Sequence, residues 1–505
     1  MSFMKGCFLL QRNFSKLGHA IALELKAKYG VTEFCGYTQM RRAERFLKSR
    51  EDLRWDPLLV DDDLQDQAAN ERLDLHYLAL LEKEYGLPEQ PSGEGTTLWP
   101  YLINDRHLMM GNPTHEFSYT PLYTHEEMLK TLQAKFRAVV QMLKEKKPDF
   151  AVFSAIGSVG SFALYQVAKK MGIKTIVIEH TLIKNRITLT NSCYNQFTGI
   201  NGIFDRIRSG NHKSPFREEA VKFLETYRAK PAKYAGRDFP HKSFFSFQRF
   251  ARSVRLFFKH LVIYLREKKS DYQEESPFSY LRNRLLKKWR ALIGYRDLYS
   301  EPNIEGDFAL YPLQEEPEIA LSLLAPFYTD QVGLIRNIAK SLPVHFKLYV
   351  KEHPVMINRR SRLYYKELLN IPNVQLIDVH YPSIKLAQNA KIIFTITGTP
   401  GWEGILFKKP VITFGSVGYN KLSMAHKAGR MDELPILVKH ALENHVHDEE
   451  ELIDFISAAF EYSFPFDYYT FWHKRPFEEF KDDPELKKFV RFLFEKELKD
   501  LANAS

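Results

Sequence analysis

Hydrophobic positions in the first third of the chain follow two different periods. Short apolar runs predict strands over residues 7–11, 33–37, 149–154 and 175–179. Apolar residues spaced three or four positions apart predict helices over residues 16–29 and 159–170. Strands that alternate with helices in this way are typical of a parallel sheet covered by helices.

A second alternation begins near residue 307. It predicts strands over residues 308–312, 346–350, 374–378, 391–395 and 411–414, the last of these being the final strand. Helices are predicted over residues 329–341, 360–369, 382–388 and from Pro400 onward. Two such units predict an α/β fold in which two Rossmann-like domains face each other across a cleft, with a helical insertion between them.

Domain limits follow from the same pattern. We expect Rossmann-like domains over residues 1–205 and 301–440, joined by a basic helical insertion or linker over residues 206–300. Helical segments over residues 441–505 are expected to pack back across both domains. The stretch 53–121 is less regular and contains a loop-like PSGEGTT segment.

Composition bears on the cellular compartment. The 505 residues include three cysteines without metal-ligand spacing, and no apolar run approaches the roughly 20 residues that span a bilayer. The opening MSFMKGCFLLQRNFSK has too short an apolar run and no small-residue cleavage site, so it is a poor signal peptide. We therefore expect a cytoplasmic protein.

The formal net charge of +10 is unevenly distributed. Residues 277–296 contain a run of basic side chains and no acid, and residues 247–266 have the spacing of an amphipathic helix. The apolar positions of that helix are Phe247, Phe250, Val254, Phe257, Phe258, Leu261 and Leu265, and its basic positions are Arg249, Arg252, Arg255 and Lys259. Such a helix is typical of attachment to an anionic membrane, here the inner membrane face, although a core-facing helix with a solvated basic side has the same pattern.

The segment 395–415, TITGTPGWEGILFKKPVITFG, places a turn between a strand and a helix. Thr397, Gly398 and Thr399 form the turn, and Pro400 suits a first helical turn because it has no N–H to leave unpaired. Backbone N–H groups and the positive end of the helix dipole suit a phosphate there. Glu403 is placed to reach a ribose hydroxyl pair, or else only complements the helix dipole.

Two further polar segments follow predicted strands. Lys351, His353 and Pro354 belong to KEHP, directly after FKLYV, and the carboxyl ends of parallel strands line the ligand crevice in this architecture. His353 can therefore donate to a phosphate or protonate a leaving oxygen. The loop PLQEEPE follows another strand, and its carboxylates include a candidate base, Glu316, although a solvated acidic turn has the same composition.

In this order, PLQEEPE, KEHP and TGTPGWEGILFKKPVITFG resemble the capsule polysaccharide biosynthesis family, whose members include the Kdo transferases of capsule assembly. The resemblance covers residues 308–419 well and the N-terminal half only in general layout. Members are similar to glycosyltransferases of the GT-B type and, more distantly, to bacterial sialyltransferases that contact the nucleotide phosphate through a His-Pro motif. The acidic loop differs from that of the best-known Kdo enzymes, which leaves the donor sugar open.

The resemblance implies a glycosyltransferase that moves a sugar from a CMP- or UDP-linked donor to a capsular polysaccharide or lipid-linked acceptor, without a metal or cofactor. It places Lys351, His353, Pro354 and residues 397–399 at the donor phosphate, and Glu403 at the ribose. The first domain then supplies the acceptor side.

The catalytic base is chosen among His19, Glu179, His180 and Glu316, and we take His353, Glu316 and His180 as the catalytic set. A nucleotide-sugar 2-epimerase, which needs no acceptor, is an alternative. A non-catalytic scaffold of a polysaccharide assembly complex is another. Nucleic-acid binding is disfavoured because the sequence has no RRM, KH or helix-turn-helix signature.

Overall fold

A computed structural model describes residues 4–87, 95–110, 121–231, 247–266, 276–473 and 475–504. Most of the predicted PSGEGTT loop, residues 91–94, lies outside the described residues, as do residues 232–246 and 267–275 of the predicted linker. The strands in chain order are β1 (Met4–Leu10), β2 (Val31–Thr38), β3 (Leu58–Val60), β4 (Phe150–Phe153), β5 (Lys174–His180), β6 (Arg186–Thr190), β7 (Phe308–Pro312), β8 (Lys347–Lys351), β9 (Val374–Ile377), β10 (Ile392–Thr395), β11 (Val411–Thr413), β12 (Ala425–Lys427) and β13 (Phe464–Pro465).

The α-helices in chain order are α1 (Phe14–Tyr29), α2 (Arg41–Lys48), α3 (Asp61–Ala68), α4 (Leu75–Tyr85), α5 (Trp99–Ile103), α6 (Arg106–Met110), α7 (His125–Lys146), α8 (Val159–Lys170), α9 (Thr198–Arg208), α10 (Arg217–Ala229), α11 (Phe247–Arg266), α12 (Pro277–Ile293), α13 (Ile319–Leu324), α14 (Gln331–Ser341), α15 (Arg362–Leu369), α16 (Ser383–Asn389), α17 (Thr399–Leu406), α18 (Leu434–Glu443), α19 (Glu449–Glu461), α20 (Tyr468–His473), α21 (Phe477–Phe480), α22 (Pro484–Leu493) and α23 (Lys499–Ala504).

The first sheet has the strand order β3-β2-β1-β4-β5-β6-β13. Strands β1 to β5 are parallel, as the alternation predicts, whereas β6 is antiparallel to both β5 and β13. The pattern did not predict β6. Only residues 181–185 separate β5 from β6, and a connection this short allows an antiparallel hairpin but no crossover.

The second sheet is wholly parallel, with the order β12-β11-β10-β7-β8-β9. Its five predicted strands are confirmed, and the α/β fold class with parallel sheets is confirmed with them. The expectation that residues 411–414 end the sheet was wrong, since β12 pairs with β11. Strand β12 is three residues long, with the sequence AHK, so it carries no apolar pattern to detect.

The core of each sheet gathers helices that are distant in the sequence. On the first sheet, α3 to α8 cover one face and α1, α2 and α20 to α23 cover the other. The second sheet is covered by α13 to α19 together with α9 and α10. We call these two assemblies the first and second lobe. The chain crosses between them after β6 and again after α19, and the domain limits given above stay a prediction.

Strand order reverses direction once in each sheet. From β1 the chain runs outward to β3 and then returns to place β4 on the other side of β1. In the second sheet it runs from β7 to β9 and returns to place β10 beside β7. Ligands in open α/β sheets bind at such switch points, beyond the carboxyl ends of the strands. A ligand site is therefore expected in the crevice beyond the carboxyl ends of β7 and β10.

Candidate functional site

The crevice of the second lobe brings together the motifs singled out in the sequence. Strands β10, β7 and β8 are neighbours and parallel, so the segments that follow them emerge at one edge of the sheet. Gln314, after β7, donates from Nε2 to Thr395 Oγ1 at 3.2 Å, and the Gly398 N–H donates to the same oxygen at 3.0 Å. The ends of β10 and β8 lie two strand spacings apart, about 10 Å.

The turn before α17 is tightly built. Gly398 is the N-cap of the helix, and its carbonyl accepts a hydrogen bond from Tyr419 Oη at 2.6 Å. Thr397 Oγ1 is buried and has no hydrogen-bond partner among the described residues. A buried hydroxyl without a partner costs free energy unless water or a ligand reaches it. Thr397 Oγ1 is therefore free to form a hydrogen bond with a polar group bound at the turn.

His353 stands at the start of a short helical turn beyond β8. Its Nδ1 accepts the Val355 N–H at 3.3 Å, so the neutral ring carries its proton on Nε2. Burial lowers the pKa of His353, an effect that Glu315 and Glu352 oppose and Arg360 supports. A neutral ring that donates from Nε2 suits a phosphate oxygen.

Lys351, at the end of β8, is bonded to the backbone of the neighbouring segment. Its Nζ donates to the Val379 carbonyl at 2.7 Å, and the residue is buried. Its ammonium group is therefore engaged with the backbone just beyond β9.

A buried ion network holds the acidic loop. Arg360 is fully buried, pairs with Glu352, lies 3.4 Å from Glu316 and donates to the Gln314 carbonyl at 2.8 Å. Gln331 also hydrogen-bonds to the Glu316 carboxylate. The carboxylate of Glu316 is thus already engaged, and it fixes the course of the loop between β7 and α13.

Glu403 lies one turn into α17 and is 9% exposed. Its charge helps to raise the pKa of Tyr227 on α10, an effect dominated by the burial of that tyrosine. Glu403 therefore lies near enough to α10 for its charge to act on Tyr227.

A cavity of about 590 Å³ separates the two lobes. The first lobe contributes Glu179, His180 and Gln196 to its wall, and the second lobe contributes Glu318 and the end of α13. Tyr468 and Tyr469 of α20 complete the lining. This volume lies within the range of small-molecule sites.

The cavity surrounds its titratable groups with protein, although His180 and Glu318 keep exposed surface and Glu179 is half-buried. Burial raises the pKa of Glu179 to about 8. Burial, with a smaller contribution from Glu315, raises the pKa of Glu318 to about 7. The pKa of His180 is lowered by burial, which Asp467 partly offsets. Perturbed carboxyl groups in a cleft are typical of acid-base sites.

Glu179 is the least satisfied of these groups, since its Oε2 is buried with no hydrogen-bond partner among the described residues. His19, by contrast, lies in the core of the first lobe. Trp55 donates to its Nδ1 at 3.1 Å, and Asp52 lies 2.9 Å from its Nε2. Both ring nitrogens of His19 are therefore occupied away from the cavity.

The two lobes, each built on a largely parallel sheet with one switch point in its strand order, define an α/β protein with two Rossmann-like units. Residues 213–431 match the model of a family described as capsule polysaccharide biosynthesis protein, which confirms the resemblance inferred from the motifs. No curated protein matches the chain significantly.

Solved structures similar to this chain include KpsC from Thermosulfurimonas dismutans, a beta Kdo 2,4 transferase. That structure is 13% identical over 62% of this chain and 79% of its own, with a TM-score of 0.35. The beta Kdo 2,7 transferase of the same KpsC is 12% identical over 72% and 87%, with a TM-score of 0.30. A UDP-GlcNAc 2-epimerase from Neisseria meningitidis is 13% identical over 90% and 94%, with a TM-score of 0.25.

Proposed function

We propose that the protein is a glycosyltransferase of the GT-B type that transfers a sugar from a CMP- or UDP-linked donor to a capsular polysaccharide or lipid-linked acceptor. The observation that supports this most is the common position of Gln314, His353 and Gly398 at one edge of the second sheet. The loop that begins with Gln314 continues to Glu318, which lines a cavity whose wall also carries Glu179 and His180. The family match over residues 213–431 includes all three second-lobe segments.

In the proposed reaction, the turn over residues 397–399 and the dipole of α17 bind the donor phosphate. Glu403 binds the ribose, and Lys351 and Pro354 support the phosphate side. His353 donates from Nε2 to the departing phosphate as the bond from the anomeric carbon to the phosphate oxygen breaks. The nucleoside phosphate leaves with the electron pair, so a neutral donor beside it stabilises the developing charge.

The acceptor hydroxyl enters from the first lobe. Glu179 or its neighbour His180 takes its proton while the acceptor oxygen bonds to the anomeric carbon. Glu318 faces them across the cavity and binds a sugar hydroxyl. Glu316 positions the loop that carries Glu318, through its contacts to Arg360 and Gln331. This chemistry needs no metal, and a lipid-linked acceptor would keep the protein in the cytoplasm at the inner membrane face.

The first test compares His353→Ala with His345→Ala. His345 precedes the same strand at the opposite edge of the sheet and is exposed, so it is a matched control. We expect H353A to lower turnover by about 10²-fold, the scale of lost acid-base or electrostatic help, and H345A to leave it unchanged. Equal turnover in the two variants would remove His353 from the mechanism.

Ligand identity is tested by thermal shift with CMP, UDP and GDP and their sugars, because a ligand that binds the native state raises Tm. Donor turnover is then followed with and without a glycan acceptor. Product formed from the donor alone would indicate an epimerase, and a native protein that binds none of these nucleotides would indicate a scaffold.

A further inference from the structure

Helix α12 presents an unusual surface. Phe278, Leu285, Trp289 and Leu292 lie on one side of it and are 66%, 57%, 60% and 65% exposed. An open groove of about 510 Å³ runs along this side, with Arg282 and Lys288 at its edges. Proteins rarely leave so many large apolar side chains in water, so a partner is expected to cover this face.

Helix α11 packs against α12 and also carries exposed apolar side chains. Its Val254, Phe258 and Leu265 are exposed, whereas Phe257 and Leu261 are half-buried. The single apolar face expected from the sequence is therefore divided, one part turned inward and one part outward. Within α11 the side chains of Phe247, Arg249 and Phe250 lie outside the described residues.

Charge decides which partner fits. Helices α11 and α12 each contain five Lys or Arg and no acid. Their ten positive charges together equal the formal net charge of +10 of the whole chain. A second copy seated on this face would bring two strongly positive surfaces together in a symmetric interface. A nucleic acid would use the charge but not the aliphatic side chains. An anionic lipid surface satisfies both.

The pair also has a fixed relation to the proposed donor site. Arg290 of α12 donates to the Arg359 carbonyl, and Arg362 donates to the Gly294 carbonyl at 2.6 Å. Tyr295 donates to the Arg360 carbonyl at 3.1 Å. These contacts join the end of α12 to the segment that follows His353, so whatever α12 binds is held beside the second-lobe crevice.

We propose that α11 and α12 form one docking surface for an anionic bilayer, with the Trp289 side of α12 lying in the headgroup boundary and the basic side chains on the headgroups. This deepens the peripheral location proposed above. No helix among the described residues is long and apolar enough to cross a membrane. Docking of this kind would present the crevice to lipid-linked acceptors.

Co-sedimentation with vesicles tests the apolar part. Native protein should bind vesicles that contain phosphatidylglycerol and bind pure phosphatidylcholine vesicles far less. The double variant L285S/W289S should bind the anionic vesicles at least about tenfold more weakly, because apolar area and charge both contribute. The control L75S/L80S removes two exposed leucines from α4 and should bind as the native protein does.

The basic part is tested with R252Q/R255Q/K259Q on α11. Each basic residue near an anionic surface contributes about fivefold, so this variant should bind on the order of 100-fold more weakly at low salt. The control K170Q/K439Q/K499Q removes three exposed lysines elsewhere and should retain binding. All variants should keep the native thermal shift with nucleotide, which separates lost docking from a lost donor site.

Three results would overturn the proposal. The first is a native protein that does not bind anionic vesicles at low salt, and the second is an L285S/W289S variant that binds them as well as the native protein does. The third is a native dimer that L285S/W289S dissociates, in analytical ultracentrifugation, without any loss of vesicle binding, which would assign the face to a second copy. If vesicle binding persists while no nucleotide sugar binds, the docking surface stands and the proposed activity fails.

Discussion

Individual polar side chains of the two lobes differ in how far their hydrogen-bonding needs are met. Glu316 is paired with Arg360 and Gln331, and His19 is held by Trp55 and Asp52. Glu179 has an unpaired buried oxygen and a pKa raised to about 8. A carboxyl group left in this state is costly to the fold and available to a substrate.

Comparing Glu179→Gln with the native protein at two pH values should reveal this cost as a pH-dependent difference in the free energy of unfolding. Because the folded-state pKa of Glu179 exceeds the unfolded value, the folded protein binds more protons between about pH 4.5 and 8, and stability falls as pH rises through that window. E179Q cannot ionise, so it should be close to the native protein in unfolding free energy at pH 5. At pH 9 it should be more stable by about 1 kcal/mol or more, since one pKa unit corresponds to about 1.4 kcal/mol.

Urea unfolding at the two pH values measures this difference. The same variant should lose about 10²-fold in transfer rate if Glu179 is the base. Glu33→Gln is the control, because Glu33 lies on the same sheet and pairs with Lys5 at the surface, at 3.1 Å. A stability difference for E179Q that is equal at both pH values would contradict the buried carboxylate.

At the level of elements, the start of α17 depends on close approach. A Cβ on Gly398 would lie 2.7 Å from Gln314 Nε2 and 2.9 Å from Thr395 Oγ1. Those atoms form the hydrogen bond that ties β7 to β10 at the switch point. The absence of a side chain at Gly398 is thus what allows the turn to close over the crevice.

Gly398→Ala should therefore lower the free energy of unfolding by about 1–3 kcal/mol, the cost of inserting a methyl group into packed surroundings. It should also weaken nucleotide binding, because the turn must move. Gly202→Ala in α9 is the matched control, since a Cβ there meets nothing within 4 Å. Replacing a helical glycine by alanine at such a position should stabilise by about 0.5–1 kcal/mol. Denaturant titrations of both variants check the opposite signs.

At the level of the whole molecule, two crossings of the chain tie the lobes together. At the second crossing, Arg186 of β6 donates from Nε to Ser463 Oγ at 2.7 Å and from Nη2 to the Phe460 and Ser463 carbonyls at 2.9 and 2.8 Å. These bonds fix the segment between α19 of the second lobe and β13 of the first. One side chain therefore secures the return of the chain.

Arg186→Ala should lower the free energy of unfolding by about 1.5–3 kcal/mol, the scale of hydrogen bonds from a charged donor. It should also separate the unfolding of the two lobes into two calorimetric transitions. Arg336→Ala is the control, because Arg336 makes an exposed ion pair with Glu367 at 3.2 Å. Exposed pairs of this kind stabilise a fold by about 0–1 kcal/mol. A single unchanged transition in R186A would mean that the lobes are coupled mainly elsewhere.

The sequence by itself determined where helices and strands form and at which edge of the second sheet the polar motifs emerge. The helix predicted over residues 159–170 begins and ends where α8 does, and the strand over 308–312 coincides with β7. These features are readable because helix and strand periods are local properties of the chain. Order along a parallel sheet then places KEHP and the 397–399 turn at one edge.

Only the tertiary structure decided what each polar or apolar side chain contacts. In the folded protein Glu316 pairs with Arg360, and His19 is enclosed in the first lobe. One oxygen of Glu179 has no partner among the described residues, and the apolar side of α12 faces outward. Burial and charge pairing depend on residues far apart in the sequence, such as Arg186 and Ser463. A local pattern carries no information about such partners, because they are set by how the lobes pack.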